Sequence, residues 1–135
     1  MLFVQFLKDG DSGEIAVLRR LPEITVKTAP VPFELFTAPS PALKEACAAL
    51  LGNCAGTDFD MVVLDEGITA LELGALEEEP LLSLLTGEGA AREWILTGRH
   101  PSPALLELGD YVSCIEARRH PYEKGIPARK GIEYR

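Results

Sequence analysis

Cysteine and histidine are scarce in this chain, and their spacing excludes two chemistries at once. The three cysteines, Cys47, Cys54 and Cys114, are an odd number with no CxxC pair, and the only histidines are His100 and His120. Such an inventory supports neither a disulfide framework nor a zinc site, and the cysteines read as half-buried free thiols. Long apolar runs are missing too: the longest candidates are strand-sized, such as Met61 to Leu64. A bilayer span needs roughly 18 to 20 apolar residues, so the chain is not read as a membrane protein. Met1 runs straight into Leu2-Phe3-Val4 without a basic region or a small-residue cleavage site, which leaves cytoplasmic residence as the expectation. No Gly-Lys-Ser or Gly-Lys-Thr occurs, so a Walker A loop around nucleotide phosphates is not among these residues. Gly10-Asp11-Ser12-Gly13 and Gly87-Glu88-Gly89 carry glycine without lysine and read as plain turns.

What is present is an ordinary globular composition. With 135 residues, 47% hydrophobic and 25% charged, the chain is sized for a single domain, residues 1–135, around one core. Its net charge of −8 is unevenly spread. Residues 1–117 hold 7 Lys and Arg against 19 Asp and Glu, whereas residues 118–135 hold 6 against 2. An acidic body argues against nucleic acid as a partner, because neutralised phosphates supply most non-specific affinity. The basic tail suits one anionic ligand or a dimer contact.

Leu2 to Leu7 is apolar at nearly every position, as a strand buried on both faces of a parallel sheet would be. Ser12 opens a helix that Pro22 stops, and Ile24 to Thr28 is a short strand. Four prolines, at 30, 32, 39 and 41, make 29–41 an irregular loop that holds Phe33, Leu35 and Phe36. Pro41 starts a helix with Leu43, Cys47, Leu50 and Leu51 at helical spacing. Asp60 to Glu66 and Trp94 to Thr97 read as buried strands, with helices at Ile68–Leu73, Glu77–Thr86 and Pro103–Leu108 and a last strand at Tyr111–Ala117. Apolar strands alternating with helices predict an α/β fold, an open parallel sheet with helices on both faces.

Sites in such folds lie at the carboxyl ends of strands. That singles out Lys8-Asp9, Asp65-Glu66 and Thr97-Gly98-Arg99. Four apolar residues followed by Asp-Glu match the Walker B pattern, a strand-tip carboxylate holding Mg²⁺ beside nucleotide phosphates. Asp65 capping the next helix, with Glu66 at its positive end, fits the local pattern as well. Arg99 suits a phosphate or an ion pair with an acid of the body. His100 and His120 each precede a proline in separate loops.

Several of these segments together resemble a known family. Phe3 to Lys8, Ser12-Gly13-Glu14, Val62 to Glu66, Leu96 to Arg99 and above all His120 to Tyr134 are similar to the P-loop-type ATP:corrinoid adenosyltransferases. The resemblance runs almost end to end, and its tail motif is the most specific part. It implies a RecA-like fold and transfer of the 5′-deoxyadenosyl group of ATP to the Co(I) of a corrinoid, in cobalamin biosynthesis or salvage, with triphosphate released. It also implies Mg²⁺, a homodimer and an external reductase. Asp65 and Glu66 would serve the metal, Thr97, Gly98 and Arg99 would border the nucleotide, and Phe33, Phe36 and His120 would face the corrinoid. The family's first strand and Gly-Lys-Thr loop have no counterpart here, so these 135 residues alone are expected to bind MgATP weakly. A shortened, non-catalytic paralogue that binds corrinoid or a partner subunit is the alternative. Two further departures are Phe36-Thr37-Ala38, where the family usually ends in Trp, and Gly67 after the Asp-Glu pair.

Overall fold

Four short strands form one sheet: β1 (Leu2–Gln5), β2 (Thr25–Thr28), β3 (Met61–Asp65) and β4 (Glu93–Leu96). The computed structural model describes residues 1–8, 10, 12–29, 31, 38–56, 58–127 and 129. All pairings are parallel and the order is β2-β1-β3-β4. The register sets Leu2 beside Val62 and Val4 beside Leu64. These four are fully buried, while Phe3, Met61 and Val63 on the alternate positions are only partly so. Helices lie over both faces, as the apolar strands predicted. Gln5 reaches Glu14 of α1 (Gly13–Leu18), which places α1 over the alternate face. The first residue of α3 (Gly67–Glu72) lies against Leu64 and the Phe6 ring, on the other side.

The longest helix, α2 (Pro41–Gly52), shows why the sequence folds locally as it does. Ser40 Oγ accepts the Leu43 N–H at 3.2 Å, and Pro41 sits where a helix needs no N–H. Leu43, Cys47, Leu50 and Leu51 then line one buried side. Truncating Leu43 to alanine is expected to cost about 2–5 kcal/mol, the range for a buried leucine. The fourth helix, α4 (Glu78–Thr86), buries Leu81 and carries Glu78 and Glu79 in its first turn, where negative charge favours the dipole.

Two boundaries differ from the sequence reading by more than one residue. β1 ends at Gln5 because Leu7 takes a left-handed backbone, φ 57°, and turns the chain. The helix opened by Ser12 ends at Leu18, and the chain tightens into i→i−3 turns from Arg20 to Val17 and Leu21 to Leu18.

The chain divides into two compact units, Met1–Pro101 and Ser102–Arg135. Within the second, α5 (Pro103–Leu108) starts from Ser102, whose Oγ accepts the Leu105 N–H at 3.2 Å. A 3-10 turn follows at Pro121–Lys124, ended by Gly125 at φ 68°. The strand predicted at Tyr111–Ala117 is not formed: this stretch belongs to no sheet among the described residues, and Tyr111 and Ile115 are 97% and 95% exposed. β-rich composition describes side chains that suit a half-buried pleated surface. Without a ladder partner it does not make a strand. No helix among the described residues is long and apolar enough to cross a membrane.

Candidate active site at the strand tips

From β1 the chain moves to one side of the sheet for β2, then crosses back to the other side for β3 and β4. The direction therefore reverses between β1 and β3. Loops leaving the carboxyl ends of those two strands part to opposite faces and open a crevice, the usual binding position of a parallel α/β sheet. Gln5 and Lys8 stand at one lip, Asp65 and Glu66 at the other.

Asp65 is held from three directions. Gln5, its register partner on β1, is fully buried and donates from Nε2 to Asp65 Oδ2 at 3.1 Å and to Glu14 Oε1 at 3.4 Å. Two carboxylates can accept only from an NH₂ group, so the amide's orientation is fixed by chemistry. The opposite atom, Gln5 Oε1, is buried with no hydrogen-bond partner among the described residues. Lys8 Nζ lies 3.3 Å from Asp65 Oδ2 and 3.8 Å from Glu14 Oε1. Thr97 Oγ1 donates to Asp65 Oδ1 at 3.1 Å and accepts the Glu66 N–H at 3.0 Å. The Glu14 carboxyl is held below its ordinary pKa, first by a backbone hydrogen bond at the start of α1, with the Lys8 charge adding; partial burial opposes both.

Helix capping by Asp65 is not observed. The N-cap of α3 is Glu66, in the left-handed region at φ 59° and with no side-chain capping bond. Its Oε2 instead accepts from Thr69 Oγ1 at 2.7 Å. Left-handed backbone costs a non-glycine residue about 1–2 kcal/mol. Such residues end three adjacent segments here: Leu7 after β1, Glu66 after β3 and His100 after β4. Strain gathered on one edge of a sheet is a mark of function. Gly98 completes the turn after β4 at φ 143°, where an added Cβ would fall 2.5 Å from the Thr69 nitrogen. That close approach lets Ile68 N–H donate to Thr97 O and Arg99 N–H donate to Thr69 Oγ1. β4 and α3 are thereby stitched together.

The structure thus brings Asp65, Glu66, Thr97, Gly98 and Arg99 onto one edge of the first unit. Arg99 is exposed, and its guanidinium makes no ion pair among the described residues. His100 Nδ1 donates to Glu72 Oε1 at 2.8 Å. In the second unit, His120 Nδ1 accepts the Tyr122 N–H at 3.2 Å. Phe33 and Phe36 lie outside the described residues. Gln5, Glu14 and Thr69 were not singled out from the sequence, although Gln5 is the one polar residue inside the apolar run Leu2 to Leu7.

Asp65, Glu66 and Thr97 present hard oxygen donors. No group of three or more His, Cys, Asp or Glu forms a metal cage among the described residues. Mg²⁺ fits this set, since it is commonly bound through one or two carboxylates with phosphates and water completing its shell. A cavity of about 580 Å³ lies elsewhere, between α2 and the α3–α4 turn, lined by Ala48, Leu51, Leu76 and Leu84 among others. It holds none of the strand-tip residues, and the chemistry places the candidate site at the crevice.

An open parallel α/β sheet with acids at the tip of a central strand is an architecture on which many different enzymes build their sites. The model of the ATP:corrinoid adenosyltransferase family BtuR/CobO/CobP matches residues 1–134, and the chain belongs to that family. The relatives that match it bear the name corrinoid adenosyltransferase. A corrinoid adenosyltransferase of Pseudomonas aeruginosa is 34% identical over 142 residues, covering 97% of this chain and 68% of that protein. The corrinoid adenosyltransferase CobA of Salmonella typhimurium is 35% identical over 76 residues, 56% of this chain and 39% of the relative. That of Escherichia coli K12 is 32% identical over 80 residues, 59% and 41% respectively. The match thus spans about two thirds of one relative's length and about two fifths of the other two.

Proposed function

We propose that this chain transfers the 5′-deoxyadenosyl group of ATP to the Co(I) of a corrinoid, with the triphosphate departing at the carboxyl ends of β3 and β4. The observation that carries the reading is the clamped Asp65: a strand-tip carboxylate oriented by Gln5, Lys8 and Thr97, inside a chain that belongs to the adenosyltransferase family. In the reaction Co(I) supplies an electron pair to C5′, the Co–C bond forms, and the C5′–O bond breaks. The C5′–O bonding pair leaves on triphosphate. The nucleophile is the cofactor's own, so the protein needs no base; it has to position the substrates and stabilise the leaving charge.

Each strand-tip group then has a task. Asp65 and Glu66 hold Mg²⁺, which when bound neutralises charge on the departing triphosphate. Thr97 fixes the Asp65 carboxylate. Gly98 lets the backbone turn close against α3, and Arg99 offers its exposed guanidinium to a phosphate. Phe33, Phe36 and His120 serve the corrinoid side. Assembly as a homodimer, residence in the cytoplasm and an external reductase that supplies Co(I) belong to the same proposal. The test is Co–C bond formation followed spectrally with reduced corrinoid and MgATP. Loss of product in Asp65→Asn supports the reading, and an unchanged rate in that variant contradicts it.

A further inference from the structure

We infer that Lys8 is an exchangeable counter-ion: it occupies Asp65 before the metal arrives, and is displaced onto the triphosphate when the metal binds. The inference rests on the reading of Asp65 as the metal-holding carboxylate.

Asp65 Oδ2 has two donors of opposite character. Gln5 is fully buried on a central strand and cannot leave its position. Lys8 sits beyond the end of β1 with its side chain 39% exposed, against 22% for Asp65. Its four-carbon stem gives the ammonium a range of positions, and an ammonium is a compact point charge that needs no fixed geometry. Glu14, itself half-exposed and 3.8 Å from the same ammonium, offers a second anchor on the path away from Asp65. The Leu7 turn at φ 57° brings Lys8 back over the strand tip and keeps it in the crevice.

Charge then dictates the order of events. A divalent cation about 2.1 Å from Oδ2 would stand no farther than about 5.4 Å from an ammonium that lies 3.3 Å from the same oxygen, and like charges that close repel in a site partly shielded from water. The ammonium has to move as the metal comes in. The group arriving with the metal is a polyanion, so the freed charge meets phosphate oxygens at the same strand edge. In the resting protein Lys8 and the Gln5 amide both reach the Asp65 and Glu14 carboxylates. In the loaded protein the metal replaces Lys8 on the acid, and Lys8 adds a positive charge to the leaving group.

Binding measurements on the whole chain test this without turnover. Mn²⁺ alone, followed by the spin resonance of the free ion, should bind Lys8→Met about threefold or more tightly than the unmodified protein, since a competing ion pair of ordinary surface strength has been removed. Inorganic triphosphate with Mg²⁺, followed by calorimetry, should bind Lys8→Met about threefold or more weakly. Lys8→Arg, which keeps the charge, should stay near the unmodified values in both assays. An unchanged or lower Mn²⁺ affinity in Lys8→Met overturns the exchange, as does undiminished triphosphate binding. Asp65→Asn separates the two levels. If it retains Mn²⁺ binding, or no variant binds Mn²⁺, the metal reading of Asp65 fails and the exchange with it. If Asp65→Asn loses Mn²⁺ while Lys8→Met leaves its affinity unmoved, the exchange alone is wrong.

Discussion

Thr97 at the end of β4 donates one hydrogen bond to Asp65 at the end of β3, 3.1 Å away, and accepts another from the backbone of Glu66 at 3.0 Å. A single hydroxyl thus fixes the rotamer of one acid and the left-handed backbone of the next. Thr97→Val keeps the shape and removes both bonds. It should lower stability by about 1–3 kcal/mol, the net worth of two ordinary hydrogen bonds, and lower turnover by a larger factor than that loss alone explains. Thr97→Ser should restore both. Urea midpoints beside rates of Co–C bond formation make the comparison.

Gln5 has no room for a negative charge. It is fully buried, with its amide nitrogen between the carboxylates of Asp65 and Glu14. Gln5→Glu substitutes a third carboxylate at that point and should destabilise the fold by about 3 kcal/mol or more at neutral pH. Protonation relieves the clash, so its melting temperature should rise relative to the unmodified protein as the pH is lowered. Gln5→Leu removes the polar atoms without adding charge and should be the milder change. Thermal melts at several pH values decide the ranking.

Gly98 is required by geometry. At φ 143°, with a backbone nitrogen 2.5 Å from where a Cβ would stand, alanine forces the β4 exit away from α3. Gly98→Ala should disrupt the Arg99-to-Thr69 and Ile68-to-Thr97 hydrogen bonds and cost more than about 1 kcal/mol. Hydrogen exchange at the Ile68 amide would report the opening locally.

The thiols make a pH prediction. Burial pushes Cys47 and Cys54 up from 9.0 to about 11. A raised native pKa means stability is complete below the unfolded value and is lost as the pH rises toward the native one. The thiols' contribution to stability should therefore be level below about pH 9 and fall between about pH 9 and 11 as the unfolded thiols ionise first. Exposed Cys114 should be modified rapidly by a thiol reagent in the native protein, with Cys47 and Cys54 reacting only on unfolding.

Much of the fold was legible because parallel strands announce themselves as unbroken apolar runs. Leu2 to Leu7 and Met61 to Leu64 have no other economical home than a sheet covered on both sides. Ser40-Pro41 and Ser102-Pro103 set helix starts through local chemistry that needs no tertiary information. Tyr111–Ala117 misled because pairing is not local: its side chains suit a strand, yet whether a ladder partner stands beside them is decided by residues far away in sequence. The acids at the end of β3 were equally readable from position. Their setting was not. Which donors hold Asp65 depends on the β1–β3 register, and a one-residue slip would turn Gln5 to the opposite face. The left-handed backbone of Glu66 likewise hides from a composition that shows only Asp-Glu-Gly.

The central claim is that Asp65 carries the metal on the departing triphosphate of an adenosyl transfer. The most direct test is the single-turnover rate of Co–C bond formation with Co(I) corrinoid and MgATP, read from the corrinoid spectrum, in the unmodified protein and in Asp65→Asn. At MgATP concentrations high enough to offset the weak binding expected of these residues, the predicted result is adenosylated product from the unmodified protein and a rate at least about 100-fold lower in the variant, roughly 2.7 kcal/mol of lost transition-state stabilisation. Equal rates, or a folded unmodified protein that yields no Co–C bond, would contradict it.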